Sequence, residues 1–325
     1  MNARIKNRLY RLKMGVIGIA CKIPIFLKLI RQYKIKKLLS FPTDVIIELT
    51  NICNLDCIMC PRKRMQRNMG NMDFELFARI VDESIKGGAR RILPFFFGEP
   101  FIQSDIGKYL SYIRSKSRII NISILTNGIL MNGERIDELF KNRVNAVAVS
   151  LDAAEIDTYE SIRRKGNLKQ AEDNIKELVK RRKEKKLSLP SITVQFVVMD
   201  KNRDEIEIFR KKWEGIVDNV VFGACTNRGQ SIEPFISHKG VKYMPCYRLW
   251  NEIAVCNDGK VALCCNDWNC SVTLGDVNSQ TLGEIWRGKK LQHIRDMHLT
   301  RQRGNLSLCN KCYPEEWDSA PQWWQ

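Results

Sequence analysis

Three closely spaced cysteines are the residues of this sequence whose chemistry is easiest to interpret. Cys53, Cys57 and Cys60 form the pattern C-x3-C-x2-C within CNLDCIMC. Thiolates are soft ligands that suit iron, and three of them on one short loop can hold three irons of a [4Fe–4S] cluster. The fourth iron is then open to a ligand from outside the protein. A zinc site would need a fourth protein ligand nearby, yet all three histidines lie after residue 237.

A second group of cysteines lies in the last quarter of the chain: Cys246, Cys264, Cys309 and Cys312. Between them, Asp258-Gly259 predicts a hairpin turn that brings two strands, and hence two thiolates, together. Four thiolates suit a fully protein-ligated [4Fe–4S] cluster. By spacing alone, a zinc site with four cysteine ligands is the alternative. Cys265 is adjacent to Cys264 and is an alternative ligand.

The elements that must position these cysteines alternate between strand-like and helix-like stretches. The predicted strands are 44–50, 91–97, 119–125, 146–151, 192–199 and 218–223. The predicted helices are 71–86, 106–115, 133–141, 168–185 and 204–212. Continuous apolar strands in repeated βα units predict an α/β fold with a parallel sheet and helices outside it. In such a fold, ligands bind at the carboxyl ends of the strands.

The first cysteine motif, directly after the first predicted strand, resembles the motif of the radical S-adenosylmethionine (SAM) superfamily. Gly98, Glu99 and Pro100 resemble the family's GGEP motif, with Phe97 in place of the first glycine. In the family, backbone oxygens and the acidic side chain of this motif receive the ammonium group of SAM. Met59 stands where the family usually has an aromatic residue, and it can contact adenine as an apolar, polarizable group.

Four further residues match the family's SAM site in order along the chain. Ser150 resembles the polar residue that meets the ribose, and Arg163 the arginine that pairs with the SAM carboxylate, a role that Arg164 could also take. Thr126 and Asn127 are candidates for cofactor or substrate binding. The resemblance covers residues 44–225 and implies that the reduced cluster donates one electron to SAM. The resulting 5′-deoxyadenosyl radical then takes a hydrogen atom from the substrate.

The second cysteine group resembles the SPASM/twitch C-terminal domains in the version with a single auxiliary cluster. The predicted organisation is therefore a basic amphipathic segment (1–40), a partial (β/α)6 radical SAM barrel (41–228) and a small cysteine-rich SPASM/twitch-type domain (239–325). The implied cofactors are SAM and two [4Fe–4S] clusters, one of which binds SAM. No cysteine follows Cys312, so a second auxiliary cluster is not expected.

The leading functional hypothesis is a radical SAM oxidoreductase acting on a small polar substrate such as a sugar, aminocyclitol or polyol. The one-cluster arrangement resembles aminocyclitol dehydrogenases, in which a base removes the hydroxyl proton and the auxiliary cluster can accept the second electron. Asp152 is a candidate base or hydrogen-bond acceptor, and Arg228 is a candidate for binding an anionic substrate group. Cys225 follows the sixth strand, where its thiol could return a hydrogen atom to a substrate radical, as an epimerase requires.

Two other functions are weighed beside this one. Many SPASM enzymes modify a ribosomally made precursor peptide, although the first forty residues are short for a peptide-recognition domain. A basic protein that binds membranes or nucleic acid through structural clusters is the third hypothesis. It leaves the match of Glu99, Ser150 and Arg163 to the SAM site without a purpose, so no nucleic-acid partner is expected.

Composition bounds the partners and the compartment. The net charge is +18, which favours an anionic partner. Eleven basic residues lie between positions 4 and 37, before the first acidic residue, Asp44. Residues 1–40 either lie on an anionic membrane surface or pack against the barrel. The apolar run 14–21 is too short to span a bilayer and lacks the features of a secretion signal. We therefore expect a cytoplasmic enzyme, membrane-associated if this segment binds lipid, that receives electrons from a donor such as flavodoxin or ferredoxin.

Overall fold

The computed structural model describes residues 39–225, 245–310 and 312. Residues 1–38 of the predicted basic segment (1–40) and the candidate residue Arg228 lie outside these described residues, and so does the predicted junction between the two domains, residues 229–238. Among the described residues, no helix is both long and apolar enough to cross a bilayer.

Six parallel strands form the larger part of one sheet, and helices connect them. The strands are β1 (Asp44–Ile47), β2 (Arg91–Leu93), β3 (Asn121–Thr126), β4 (Ala146–Ser150), β5 (Ser191–Val198) and β6 (Asn219–Ala224). The helices are α1 (Phe74–Gly87), α2 (Ile106–Lys116), α3 (Gly133–Lys141), α4 (Ile156–Ile162), α5 (Leu168–Glu184) and α6 (Ile206–Trp213). Neighbouring strands pair in sequence order from β1 to β6. The predicted α/β class with a parallel sheet is confirmed.

Local sequence explains where the helices begin and end. Asp73 caps α1 by accepting hydrogen bonds from the amides of Glu75 and Leu76. Gly88 ends this helix with a left-handed φ of 88°, a conformation that glycine adopts without a Cβ penalty. Asn132 caps α3 in the same way as Asp73 caps α1. The apolar faces of these helices cover the sheet, whose central strands are almost wholly buried.

The second strand is shorter than predicted. It ends at Leu93 instead of reaching Phe97, because Pro94 has no backbone N–H to donate to a neighbouring strand. The chain then leaves the sheet, and the Phe97 amide donates a hydrogen bond to the carboxylate of Glu48. The GGEP-like residues therefore lie in a loop four residues beyond the strand.

The C-terminal part adds three strands to the same sheet: β7 (Glu252–Val255), β8 (Lys260–Ala262) and β9 (Thr273–Asp276). Strands β7 and β8 form an antiparallel hairpin whose turn includes Gly259 at φ 91°, as predicted. Strand β7 pairs parallel to β1, so the order of the sheet is β6-β5-β4-β3-β2-β1-β7-β8-β9. Helices α7 (Leu282–Arg287) and α8 (Lys289–Leu299) follow, and a capping box at Thr281 begins α7.

Candidate functional site

The cysteine loop after β1 is held against the loop after β2 by backbone contacts. The amide of Glu99 donates to the carbonyl of Ile52 over 2.9 Å. Gly98 lies so close that a Cβ there would come within 2.2 Å of the Thr50 carbonyl oxygen. Glycine is thus required at position 98, because any side chain would push the two loops apart.

Two of the three thiols on this loop receive polar contacts, from the loop's own backbone and from Asn127 and Arg163. The Leu55 amide donates to Sγ of Cys53 over 3.4 Å, and Nδ2 of Asn127 approaches the same sulfur at 4.0 Å. Nη1 of Arg163 lies 3.8 Å from Sγ of Cys57. N–H groups aimed at sulfur are the contacts expected around iron-bound thiolates.

Burial disfavours the charged form of these thiols. It raises the pKa of Cys53 to about 11 and that of Cys57 to about 12, and neighbouring thiols of the loop contribute to both shifts. The thiols of Cys53 and Cys57 are therefore poor anions by themselves. A cationic iron centre removes this penalty, so the chemistry of the donor set fits a cluster.

Glu99 is fully buried at the carboxyl end of the sheet. Its carboxylate accepts hydrogen bonds from the Thr126 hydroxyl at 2.6 Å and from the Asn127 amide at 2.8 Å, and another from the Phe101 amide. Burial raises the pKa of Glu99 to about 7, and these hydrogen bonds oppose the shift. A buried carboxylate with this pKa can bind an amino group and change its protonation state near neutral pH.

Arg163 is buried in an ion pair with Asp152. Its Nη2 lies 2.5 Å from Oδ2 of Asp152, and its Nε donates to the Leu151 carbonyl. The other carboxylate oxygen of Asp152 accepts from the Val197 amide at 2.7 Å. The aspartate, at φ 66°, thus aims the guanidinium at the cysteine loop, and both of its oxygens are engaged.

Two more predicted residues lie at this edge of the sheet. Ser150 ends β4, and its hydroxyl lies 3.4 Å from Oε1 of Gln195 on β5. Cys225 follows β6 and is buried in a small apolar cluster with Ile162 and Met199, against which Met59 packs. The structure thus brings the Cys225 thiol beside the cysteine loop.

The second cysteine group also comes together. The pKa of the Cys264 thiol is raised well above its usual range by burial and by its cysteine neighbours, which include Cys309, Cys312 and Cys246. Cys265 is also a neighbour of Cys264, and it packs against an apolar cluster that contains Ile46. Among the described residues, no three His, Cys, Asp or Glu side chains converge closely enough to hold one metal ion. A single zinc ion binds four sulfurs at about 2.3 Å each, whereas a cubane spans more space.

Polar neighbours orient this second group. The amide of Asn266 donates to Sγ of Cys312 over 3.7 Å, and the backbone amide of Cys246 donates to Nδ1 of His298 over 3.2 Å. Burial lowers the pKa of His298 to about 4, so the imidazole is a neutral acceptor at physiological pH. The buried carboxylate of Asp267 accepts from the Ser271 and Val272 amides and folds the loop that follows Cys264.

Comparison with protein families decides what this arrangement belongs to. Residues 47–212 match the model of the Radical SAM superfamily. The chain belongs to the radical SAM superfamily. Residues 246–313 match SPASM, an iron–sulfur cluster-binding domain. This radical SAM protein therefore binds SAM and a [4Fe–4S] cluster in its first domain. Its SPASM domain binds auxiliary iron–sulfur clusters.

Curated relatives of this radical SAM protein match only part of it. The tungsten-containing aldehyde ferredoxin oxidoreductase cofactor-modifying protein of Pyrococcus furiosus is 31% identical over 164 residues, 49% of this chain and 45% of its own length. A probable GTP 3′,8-cyclase of Methanocaldococcus jannaschii is 32% identical over 159 residues, 48% of this chain and 50% of its own. The chain thus spans about half the length of the curated relatives it matches.

Solved radical SAM structures share the fold over most of the chain. BtrN in complex with AdoMet and 2-DOIA has a TM-score of 0.57 and 19% identity, and the match covers 86% of this chain and 98% of that one. SuiB of Streptococcus suis bound to its precursor peptide SuiA has a TM-score of 0.67 and 14% identity, with 90% and 80% covered. At these identities the likeness concerns the fold alone.

A buried ion pair next to the radical SAM site was missed by the sequence analysis. Arg67 forms two hydrogen bonds with the carboxylate of Glu48, at 2.7 and 2.9 Å. It also donates to Oδ1 of Asn257 and to the carbonyl of Trp268, which belong to the SPASM domain. The signal in the sequence was one acidic residue, Glu48, inside the apolar run of residues 45–49, since a fully buried glutamate needs a partner.

Proposed function

We propose that this radical SAM enzyme abstracts a hydrogen atom from a small polar substrate, of the sugar, aminocyclitol or polyol class, and thereby dehydrogenates or epimerises it. One observation carries the proposal. The cysteine loop, the buried Glu99 carboxylate and the aimed Arg163 guanidinium converge at the carboxyl edge of a parallel sheet, where ligands of such folds bind.

Each predicted SAM contact has a place in this proposal. Cys53, Cys57 and Cys60 hold the cluster, Glu99 receives the amino group of SAM, and Arg163 receives its carboxylate. The remaining contacts are Met59 at the adenine, Ser150 at the ribose, Gly98 and Pro100 in the loop that shapes the amino-group site, and Thr126 and Asn127 around Glu99. When bound, SAM and the cluster supply a 5′-deoxyadenosyl radical.

The chain's own residues orient the reactants and exclude water. Ser150 and Gln195 present a hydroxyl and an amide at the end of adjacent strands, which suits the hydroxyl groups of a polyol. Asp152 is the predicted base or hydrogen-bond acceptor, and its oxygens accept from Arg163 and Val197. Because both of its oxygens are engaged, we infer that it acts by positioning Arg163, and a base role stays a prediction. Anion binding by Arg228 also stays a prediction.

Cys225 separates the two outcomes of the proposed reaction. Its thiol is buried beside the cysteine loop, and in an epimerase it would return a hydrogen atom to the substrate radical. In a dehydrogenase it would have only a packing role. The change Cys225→Ala should therefore abolish product formation in the first case and leave it nearly intact in the second, with 5′-deoxyadenosine formation as the readout common to both.

The second cysteine group is proposed to hold one auxiliary [4Fe–4S] cluster through Cys246, Cys264, Cys309 and Cys312. Burial raises the pKa of Cys309 and of Cys312 to about 12, and Cys246 contributes to both shifts, so these thiols also need a cationic centre to ionise. The neighbours of Cys264 are Cys265 and the other three cysteines of the group, and Cys265 stays the alternative ligand.

The proposed setting is a reducing cytoplasm with a protein electron donor of the flavodoxin or ferredoxin class. Contact of residues 1–40 with a membrane surface stays a prediction. We expect no nucleic-acid partner. A small molecule or a glycan is the proposed substrate class.

Anaerobic reconstitution with iron and sulfide, followed by a SAM-cleavage assay under dithionite, tests this proposal. We expect about eight irons per chain and release of 5′-deoxyadenosine. The triple variant Cys53→Ala, Cys57→Ala, Cys60→Ala should keep about half the iron and cleave no SAM. The matched pair Cys309→Ala, Cys312→Ala should lose the other half and still cleave SAM without substrate. SAM cleavage that persists in the triple variant would refute the assignment of Cys53, Cys57 and Cys60 as ligands of the SAM-binding cluster.

A substrate panel distinguishes the substrate classes. Sugars, aminocyclitols and polyols are added one at a time, and substrate-dependent 5′-deoxyadenosine is measured together with product lighter by two hydrogen atoms or inverted at one carbon. GTP belongs in the panel because curated relatives named GTP 3′,8-cyclase match half of the chain. Stimulation by GTP or by a precursor peptide, with no response to any polyol, would replace the proposed substrate class.

A further inference from the structure

A group of basic side chains surrounds the outer face of the cysteine loop. We call it the basic rim: Arg62, Lys63, Arg64, Arg164 and Lys165. Its first three members form the short helical turn Pro61–Arg64, which begins immediately after Cys60. The other two follow Arg163, whose side chain points inward to the same loop. The rim thus lies directly beside the cysteine loop.

Backbone hydrogen bonds attach both parts of the rim to the loop. The amide of Asp56 donates to the carbonyl of Arg164 over 3.0 Å, and the amide of Ile58 donates to the carbonyl of Ile162 over 2.9 Å. Lys63 is three residues from Cys60, so their Cα atoms are at most about 11 Å apart. The rim is therefore a rigid extension of the cysteine loop.

The charges of the rim are directed outward. One carboxylate, Asp56, lies among the cations, 2.7 Å from Nζ of Lys165, 3.4 Å from that of Lys63 and 3.1 Å from Nη2 of Arg62. These neighbours, Lys165 first, lower the pKa of Asp56. The lysine side chains are still 55% and 70% exposed. Three cations contact this one carboxylate, and the exposed Arg64 and Arg164 stand next to them in the chain, so the rim is positive overall.

We infer that the basic rim is the docking surface of an acidic one-electron carrier protein, which reduces the cluster held by the loop. This inference rests on the proposed function, in which each SAM cleaved consumes one electron. The carrier loses that electron and the cluster gains it, so no other reactant is required. The rim offers the carrier's carboxylates complementary charge next to the loop that carries the cysteines.

Charge complementarity between the rim and the carrier mainly raises the association rate of the two proteins and fixes the orientation of the carrier on the rim. Steering of this kind raises association rates by about 10- to 1,000-fold and is screened by salt. A nucleic acid would also be attracted by basic residues. However, the rim has a carboxylate at its centre and is built onto a redox loop, and both features favour a protein carrier over a phosphate backbone.

The test uses the reconstituted full chain with reduced flavodoxin as the probe. The rim variant is Lys63→Gln, Arg64→Gln, Lys165→Gln, and the matched control is Lys180→Gln, Lys183→Gln, Lys185→Gln, which neutralises three exposed lysines at the other end of α5. At low ionic strength, the second-order rate of flavodoxin-driven SAM cleavage should fall about tenfold in the rim variant and stay within about twofold in the control. The difference should vanish in about 0.5 M salt.

Two further readouts keep the inference separate from the proposed function. Dithionite-driven cleavage needs no docking and should be equal in the wild type, the rim variant and the control variant. If the wild type itself did not cleave SAM with dithionite, the proposed radical chemistry would be wrong, independently of the rim. Carbodiimide cross-linking of oxidised flavodoxin should join its carboxylates to Lys63 or Lys165, whether or not SAM is present. The single variant Arg64→Glu, which leaves the Asp56 ion pairs intact, should repeat the rate loss.

Three results would overturn the docking surface. The first is a flavodoxin-driven rate that is unchanged in the rim variant at low salt. The second is cross-linking that maps only to residues outside the rim. The third is loss of binding to a short single-stranded RNA by the rim variant, with no change in the flavodoxin-driven rate, which would assign the rim to nucleic acid.

Discussion

Glu99 shows how one buried side chain can make cofactor binding depend on pH. Its pKa is raised to about 7, and burial is the largest cause. The shift has a cost for the fold. Since the folded state binds the extra proton between about pH 4.5 and 7, this group's contribution to stability declines as the pH rises through that window.

The same shift should control SAM affinity if Glu99 receives the amino group. The affinity of the reconstituted enzyme for SAM should rise with pH up to about 7 and then level off, and it should fall by up to about tenfold per unit below that. Equilibrium binding between about pH 5.5 and 8.5 measures it. Glu99→Gln should bind weakly with no slope, while exposed Glu155→Gln should behave as wild type. A sloping profile in Glu99→Gln would exclude Glu99 as the titrating group.

Gly98 carries a second prediction at the residue scale. A Cβ at this position would lie 2.2 Å from the Thr50 carbonyl oxygen and 2.8 Å from that of Ile52. Gly98→Ala should therefore lower stability by about 1–3 kcal/mol and weaken SAM binding by displacing the cysteine loop. Thermal unfolding and SAM binding measure the two effects. Gly223→Ala is the matched control, because a Cβ there meets no atom within 4 Å. Equal unfolding temperatures in the two variants would contradict the steric argument.

At the scale of elements, the loop that follows the cysteines is tied to the SPASM domain by the Glu48–Arg67 pair. The carboxylate of Glu48 is fully buried and the Arg67 side chain is 6% exposed. The pair is also bonded to Asn257 at the turn after β7. The pair fixes the position of the chain segment that follows the first cysteine loop relative to the strands near the second cysteine group.

Removing one partner should leave the other as an uncompensated buried charge. Arg67→Met is expected to lower the free energy of unfolding by about 3–5 kcal/mol, and Arg67→Lys by less, since it keeps the charge and loses the fork geometry. Anaerobic denaturant titration measures both. Breaking the exposed Lys141–Glu138 pair with Lys141→Met should change it by less than about 1 kcal/mol. Comparable losses from both pairs would show that burial is not what makes the Arg67 pair important.

Sequence patterns predicted those helices and strands whose signals lie within their own residues. Helix α3 has the predicted bounds, 133–141, because its apolar periodicity and its Asn132 cap are both written in the chain. Helix α4 was not predicted, since it has only seven residues and no side-chain cap. Spacing and family resemblance also indicated which cysteines lie together. The orientation of the Arg163 guanidinium toward the cysteine loop did not follow from sequence, because it depends on Asp152 in a left-handed backbone conformation.

At the scale of the whole molecule, what sequence could not supply is long-range pairing. The partnership of Glu48 with Arg67 and Asn257 joins residues that are 19 and 209 positions apart. Likewise, six βα units predicted a parallel sheet but not that a strand from the cysteine-rich domain would pair with β1. Periodicity reports which face of an element is buried and says nothing about which distant element buries it.

The position of β1 between β2 and β7 has a consequence for how the protein is made. On the ribosome, β1 emerges before the residues of β7 that pair with it, which are about 208 positions later in the chain. Until they are made, one side of β1 presents unpaired N–H and C=O groups, which are a template for pairing with other chains. The nascent protein therefore carries an open sheet edge beside its first cysteine loop until β7 has been synthesised. We expect the least aggregation when a chaperone covers this edge in the nascent chain and the cluster is inserted only after β7 has paired with β1.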